Sequence, residues 1–409
     1  MNRIYLDNAA TTPVRREVFE AMVPYLTDKF GNPSSIHSYG REARAALDRA
    51  REQVATAIGA APDEIIFTAG GSEADNLAIK GTALAMRGRK SHVITTAVEH
   101  HAVLHPVETL RKLGFSTTIL PVDSEGMVDP DDVRRAITPE TLLISVMYAN
   151  NEVGTIQPIE EISHIAQEAG VLFHTDAVQA VGHIPVDVDS LGVDMLSLSG
   201  HKFYGPKGVG ALYVRRGVRP TPLLEGGAQE RKRRAGTENM AGIVGMGAAI
   251  ELAVGELEEM IVHEEALRDK LIRGLIQRIP DVKLNGHSTR RLPNNVNMSF
   301  LYVEGESLLL NLDMQGIAAS SGSACTSGSL APSHVLMAMG IPHEVAHGSV
   351  RMTLGRYTRE ADIDRVLDVM PGIVNKLREM SPVYVKRECD MKDICAHAHA
   401  CDVAQQSSE

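Results

Sequence analysis

Two residues stand where strand-like runs of aliphatic residues stop. Asp176 follows Val171-Leu172-Phe173-His174-Thr175, with Gln179 three residues later, and Lys202 follows Met195-Leu196-Ser197-Leu198-Ser199-Gly200-His201. A lysine forms a Schiff base with an aldehyde, and a carboxylate holds a pyridine nitrogen protonated so that the ring accepts electrons. The pair therefore suits pyridoxal phosphate (PLP). Alone it is weak, because an Asp is commonly a helix cap and a Lys commonly lies in a solvated turn.

A phosphate site would strengthen it. The run Ile65-Ile66-Phe67-Thr68 leads into Gly70-Gly71-Ser72-Glu73 and then a helical pattern. Two glycines at a strand–helix junction expose backbone N–H groups to an anion. Ser72 either adds a hydroxyl or caps the helix. Other phosphate loops are excluded: no G-x-G-x-x-G follows a strand, and Pro206 occupies the place of the Walker lysine in Gly200-His201-Lys202-Phe203-Tyr204-Gly205-Pro206-Lys207. The third feature is Ser320-Ser321-Gly322-Ser323-Ala324-Cys325-Thr326-Ser327-Gly328-Ser329. Small residues in a row read as a flexible linker. A linker has no need of an exposed thiol, so a mobile arm carrying a thiolate nucleophile is the alternative.

These residues need a scaffold. The chain has 409 residues, 44% apolar and 23% charged, which fits a globular protein of two or three domains and excludes disorder or coiled coil for the bulk. With no Trp and 4% aromatics, the core must be mainly aliphatic. Forty-one basic against 52 acidic residues give a net charge of −11, which argues against nucleic-acid binding despite the run Arg231-Lys232-Arg233-Arg234. No apolar run approaches the roughly eighteen residues of a membrane span, and no secretory signal is visible. Four cysteines cannot form a disulfide framework. The expectation is an acidic cytoplasmic α/β protein. Runs at 65–68, 92–95, 117–120, 142–146, 171–174 and 195–198 read as buried strands, separated by helical spacing at 73–86, 103–113 and 159–169. That alternation predicts a mostly parallel sheet with ligands at the carboxyl ends of its strands. Residues 242–280 read as long helix, broken near Gly255. Strands at 282–284, 295–300 and 350–354 with helices at 306–314 and 362–378 predict a smaller α+β domain, completed by the N-terminal segment. From about Lys386 the periodicity is lost.

The ordered motifs Tyr5-Leu6-Asp7-Asn8-Ala9-Ala10-Thr11-Thr12, Gly31-Asn32-Pro33-Ser34-Ser35, Glu99-His100, Ala149-Asn150-Asn151-Glu152, His174-Thr175-Asp176-Ala177-Val178-Gln179, Ser199-Gly200-His201-Lys202, Ala235-Gly236-Thr237-Glu238-Asn239, the Cys325 segment and His347-Gly348-Ser349-Val350-Arg351 follow one another along the chain. In these the chain resembles the cysteine desulfurases of the NifS/IscS type, PLP enzymes of the class V aminotransferase group, from about residue 4 to 384. The resemblance implies fold type I: a large domain (14–260) with a mostly parallel seven-stranded sheet, a small α+β domain (1–13 and 261–385) carrying the Cys loop (320–329), and a tail (386–409). It implies that Lys202 holds PLP, Asp176 pairs with the ring nitrogen, Gln179 bonds the ring hydroxyl, and His100 stacks on the ring and moves protons. Gly71, Ser72, Ser199 and His201 would hold the phosphate, with Thr237 arriving from the other subunit of a homodimer. Asn151 would lie beside ring and substrate, and Arg351 would grip the carboxylate of L-cysteine. Arg356 competes for that role by position alone. Cys325 would take the sulfur as a persulfide, release alanine and deliver the sulfur to an iron–sulfur scaffold or another acceptor; it is also a candidate shared iron–sulfur ligand with that partner. Two departures stand out. Ser72 replaces the family's usual Thr, and the tail carries Cys389, Cys395, Cys401, His397 and His399 without zinc-finger spacing. The alternatives are selenocysteine lyase or C–S lyase chemistry, or a module that binds and delivers metal or sulfur. The intact Lys202–Asp176–Cys325 set speaks against the last.

Overall fold

The computed structural model describes residues 3–321, 332–382 and 384. The chain starts in a two-residue strand, β1 (Ile4–Tyr5), whose partner comes some 310 residues later. The next seven strands are β2 (Ile65–Thr68), β3 (His92–Thr96), β4 (Ser116–Leu120), β5 (Thr141–Ser145), β6 (Leu172–Asp176), β7 (Met195–Ser199) and β8 (Gly210–Val214). They form one sheet in the order β2-β8-β7-β6-β5-β3-β4. From β4 to β7 all neighbours are parallel, and β8 runs antiparallel to β7 and β2.

Burial explains the sequence pattern. Every residue of β2, β3, β5, β7 and β8 is buried, so these strands read as continuous runs rather than alternating ones. Alternation survives only in which face each residue serves. Ile65, Phe67, Ala211 and Tyr213 join the core on one side, whereas Ile66, Leu212 and Val214 join the core on the other. The edge strand β4 is Thr-rich and partly exposed. The first face is covered by helices Ser38–Ala57 and Met240–Gly255, which pack on each other, and the second by Gly71–Asn76 and His101–Lys112.

The seventh strand, β8, is absent from the runs that mark the other six. A Cβ at Gly210, its first residue, would lie 2.7 Å from the Gly70 backbone, so a glycine there lets the antiparallel strand pass directly behind the turn at Gly70.

The long helix is indeed broken, into Met240–Gly255 and Leu257–Arg278, with a bend of 70°. Beyond it β9 (Val282–Leu284), β10 (Asn295–Phe300) and, after β11 (Ile317–Ala318), β12 (Ser349–Thr353) complete the strands. The order β12-β10-β9 is antiparallel throughout, while β11 pairs in parallel with β1. Ile4 and Leu6 enter a separate core with Leu271, Leu275, Phe300, Leu308, Leu312, Val366 and Met370. The N-terminal residues Ile4 and Leu6 thus pack with the C-terminal part. No single helix among the described residues is long and apolar enough to cross a membrane.

Candidate active site

The carboxyl ends of β6 and β7, the turn after β2 and the segment before helix His101–Lys112 converge on a cavity of about 370 Å³. Its wall includes Gly71, Ser72, His100, Asn151, Asp176, Gln179, Ser199, His201, Lys202 and Arg351, so ten of the sequence candidates meet in one place. Thr237 does not line it; that residue is exposed. Cys325 and the tail residues Cys389, Cys395, Cys401, His397 and His399 lie outside the described residues.

Each side chain is placed for a physical reason. Asp176 ends β6 almost fully buried, and its Oδ1 accepts the Val178 N–H at 2.9 Å. Burial pushes it up to about 6, against that hydrogen bond and the positive charge of Lys202. Lys202 Nζ donates to the carbonyls of Ala9 at 2.5 Å and Ala10 at 2.9 Å, and Gln179 Nε2 donates to Ala9 O at 2.9 Å. The N-terminal turn therefore forms part of the cavity. His100 caps helix His101–Lys112, its Nδ1 accepting from Ala102 N at 3.1 Å. Burial, then Lys202 and His101, lowers it to about 4, so at neutral pH it is an uncharged base. His201 Nδ1 lies 3.1 Å from Thr11 Oγ1, and burial and the charges of Lys202 and Lys207 lower it to about 4.

At the turn after β2, Gly70 has φ 152° and its neighbour Gly71 starts the helix. A Cβ on Gly71 would come within 2.6 Å of Val178 Cγ2, so the chain can pass here only without a side chain. Gly70 is the cap, which leaves Ser72 in the first turn rather than in the capping role its type allowed. Glu73 accepts from Ala69 N at 2.8 Å and from Arg234 Nε at 2.9 Å, which ties the basic run to this turn.

The opposite end separates Arg351 from Arg356. Arg351 donates from Nη2 to Asp7 Oδ1 at 2.8 Å and from Nη1 to Asn151 O at 3.0 Å. Its Nε is buried without a partner among the described residues. Arg356 instead pairs with Glu256 away from the cavity, and its backbone N–H donates to the Tyr204 hydroxyl at 2.7 Å. The flanks of the Cys325 segment are held at the same end. Ser320 exchanges backbone hydrogen bonds with Arg351 at 2.6 and 3.1 Å. Ser333 Oγ donates to the Glu152 carboxylate, and His334 Nε2 lies 2.9 Å from Glu99 O.

Several contributors escaped sequence reasoning: Asp7, which orients Arg351; Ala9 and Ala10, which hold Lys202; Thr11; and the buried Asp75. The first four sit in the N-terminal motif, which carried no chemistry of its own. Among the described residues no group of three or more His, Cys, Asp or Glu side chains is placed to hold a metal.

The cavity fits PLP: a glycine-lined turn with hydroxyls at one end, a buried carboxylate and a lysine in the middle, and an arginine with a spare donor at the other. Together with the sheet, this defines a PLP-dependent enzyme of fold type I. Residues 4–366 match the family model described as aminotransferase class-V. A relative named cysteine desulfurase IscS, from Dictyoglomus turgidum, is 61% identical over 379 residues, 93% of this chain and 96% of its own length. One of the same name from Methanosarcina thermophila is 60% identical over 383 residues, 94% of this chain and 95% of its own. A solved structure described as a NifS-like protein superposes with a TM-score of 0.87 at 41% identity, covering 92% of this chain and all of that one. The chain belongs to the aminotransferase class-V family and, within it, to the cysteine desulfurases of the NifS/IscS type.

Proposed function

We propose that the cavity is the active site of a PLP-dependent cysteine desulfurase that converts L-cysteine to L-alanine and a persulfide on Cys325, for delivery to an iron–sulfur scaffold or another sulfur acceptor. The observation that carries this reading is that Lys202, Asp176, His100 and Arg351 line one cavity, with both flanks of the Cys325 segment fastened at the Arg351 end.

In this reading Lys202 would hold the cofactor, Asp176 would pair with the ring nitrogen, and Gln179 would serve the ring hydroxyl. Gly71, Ser72, Ser199 and His201 would hold the phosphate, with Thr237 contributed by a second subunit. Bound there, PLP supplies an electron sink that makes the α-proton of an amino acid acidic and the C–S bond breakable. Arg351 grips the substrate carboxylate, and Asn151 lies beside it. The Nζ of Lys202 moves the proton at the substrate Cα, and neutral His100 receives or returns a proton at its ring nitrogen. The Cys325 thiolate attacks the substrate sulfur, forming an S–S bond as the C–S bond breaks. The released electron pair stays with the carbon fragment, which takes up protons to become alanine.

Residues 14–260 form the large domain in this scheme, and residues 1–13 with 261–385 the small one; their separate cores support the division. A homodimer is supported by the exposed apolar side chains Phe19, Leu26, Phe30, Ile36 and Tyr39, gathered within 21 residues of chain. The cytoplasm is the compartment that suits a reactive thiol and four cysteines. The test is alanine formed from L-cysteine by PLP-loaded protein with reductant, wild type beside Cys325→Ala. Turnover should fall to background in the variant while the absorbance of bound cofactor remains. Equal turnover would refute the persulfide route.

A further inference from the structure

One buried acid has no part in this scheme. Asp75 lies in helix Gly71–Asn76, is 1% exposed, and borders the cofactor cavity. Its Oδ1 is buried without a hydrogen-bond partner among the described residues. His174 Nε2, in β6, lies 3.7 Å from it but faces Ser197 Oγ at 3.0 Å, and His174 Nδ1 faces Ser145 Oγ at 2.9 Å. Burial holds His174 down to about 3, so this imidazole is neutral and offers Asp75 no positive charge. The ionised group that reaches Asp75 is negative, Asp176, two residues beyond His174 on β6; Glu99, just before His100, is raised by burial to about 8 and keeps its own proton at neutral pH. Only the Ser197 hydroxyl on β7 favours its ionised form. An ionised carboxylate buried beside another is costly, and taking up a proton removes that cost. Burial and these neighbours indeed push Asp75 well above the usual carboxylate range.

We propose that Asp75 holds a proton in the working enzyme and acts as a positioning residue, a neutral acid bordering the cavity that leaves Asp176 as the charged carboxylate facing the cofactor ring. The role rests on the reading of Asp176 given above. A second negative charge at Asp75 would drive Asp176 itself to take up a proton, and the ring nitrogen would lose its anion. A neutral Asp75 avoids this while its volume fills the buried space beside β7, where Ser197 is the register partner of Asp176 in the sheet.

The test uses the full chain in two states. Without cofactor, the infrared spectrum of wild type should show the C=O band of protonated carboxylic acid at neutral pH, one component of which disappears in Asp75→Asn; Glu99→Gln identifies the component of the neighbouring acid. With cofactor, the dissociation constant of PLP is followed against pH by absorbance. Asp75→Ala should weaken binding about tenfold, the cost of one buried hydrogen-bonding group, and Asp75→Asn should restore it to within about threefold with the same pH midpoint. If Asp75 were ionised, the Asn variant would remove a negative charge beside Asp176 and lower the midpoint by about one pH unit, a tenfold change in affinity at a fixed pH. That shift, or the absence of the band in wild type, overturns the proposal. Unchanged PLP affinity in Asp176→Asn would overturn the positioning role through the site reading, while the infrared band still decides the protonation state.

Discussion

Replacing Arg351 by Lys tests the substrate end of the cavity most sharply. Arg351 is 2% exposed, and two of its nitrogens are committed, one to Asp7 and one to the Asn151 carbonyl. The buried Nε has no partner among the described residues, so a substrate carboxylate would find a spare donor on a guanidinium already fixed in orientation. Lysine keeps the charge but has no planar fork, and it cannot serve Asp7, Asn151 and the substrate from one flat group. The loss is one charge-assisted hydrogen bond, about 1.5–3 kcal/mol, or roughly 10- to 150-fold in kcat/KM. Because the carboxylate is held in both ground and transition states, most of that loss should fall on KM. Arg351→Ala removes the charge as well and should cost at least about as much again. Steady-state alanine production against L-cysteine concentration measures both, with cofactor absorbance confirming that the site is intact. Arg356→Ala is the control: Arg356 sits on Glu256, so its removal should act on stability and leave KM within about threefold. Wild-type KM in the Arg351→Lys enzyme, or a larger KM effect from Arg356→Ala, would refute the assignment.

Two further perturbations test the frame around the site. Glu99 is fully buried, and burial raises it from 4.5 to about 8, so the folded protein keeps a proton that the unfolded chain releases above pH 4.5. Stability from this group is therefore complete below about pH 4.5 and declines as pH rises toward 8, at up to about 1.4 kcal/mol per pH unit. Glu99→Gln keeps the acceptor for Thr96 Oγ1 and Met147 N and should flatten that slope; urea unfolding of the apo protein at pH 5.5 and 7.5 reads it, and parallel losses in both proteins would contradict it. The second is the buried pair Arg51–Glu230, with contacts of 2.7 and 2.8 Å. Glu230→Ala strands the guanidinium and should destabilise by about 3–5 kcal/mol in urea unfolding, whereas Arg51→Met with Glu230→Leu should lose less; equal losses would contradict the account.

Most of the scaffold was legible because burial on both faces leaves a plain mark. Five strands of the central sheet are largely apolar runs, the Thr-rich edge strand β4 carries a weaker mark because it is partly exposed, and the break at Gly255 interrupts an otherwise continuous helical period. β8 was harder to see, because the sequence 205–210 reads as a glycine-rich turn until Gly210 is found against the Gly70 backbone. Lys202 and Asp176 were legible for a related reason: a parallel strand ends where its run ends, so the next polar residue lies at the ligand edge of the sheet.

The Arg351 end of the cavity is different in kind. Arg351 and Arg356 are five residues apart and chemically identical, and nothing local separates them. What separates them is distant: Asp7 lies 344 positions from Arg351, and Glu256 lies 100 positions from Arg356. The same holds for Lys202, whose ammonium is met by carbonyls 193 and 192 positions away. β1 pairs with β11, which brings the N-terminal turn to the wall of the cavity while Ser320, two residues beyond β11, is pinned to Arg351. One short parallel pairing therefore sets the lysine's carbonyl partners, the arginine's carboxylate partner and the root of the segment that carries Cys325. Spacing along the chain reports what an element buries, whereas a site built where two cores meet depends on such crossings. That is why the motif Tyr5–Thr12, silent as chemistry, supplies the clamp around the residues that act.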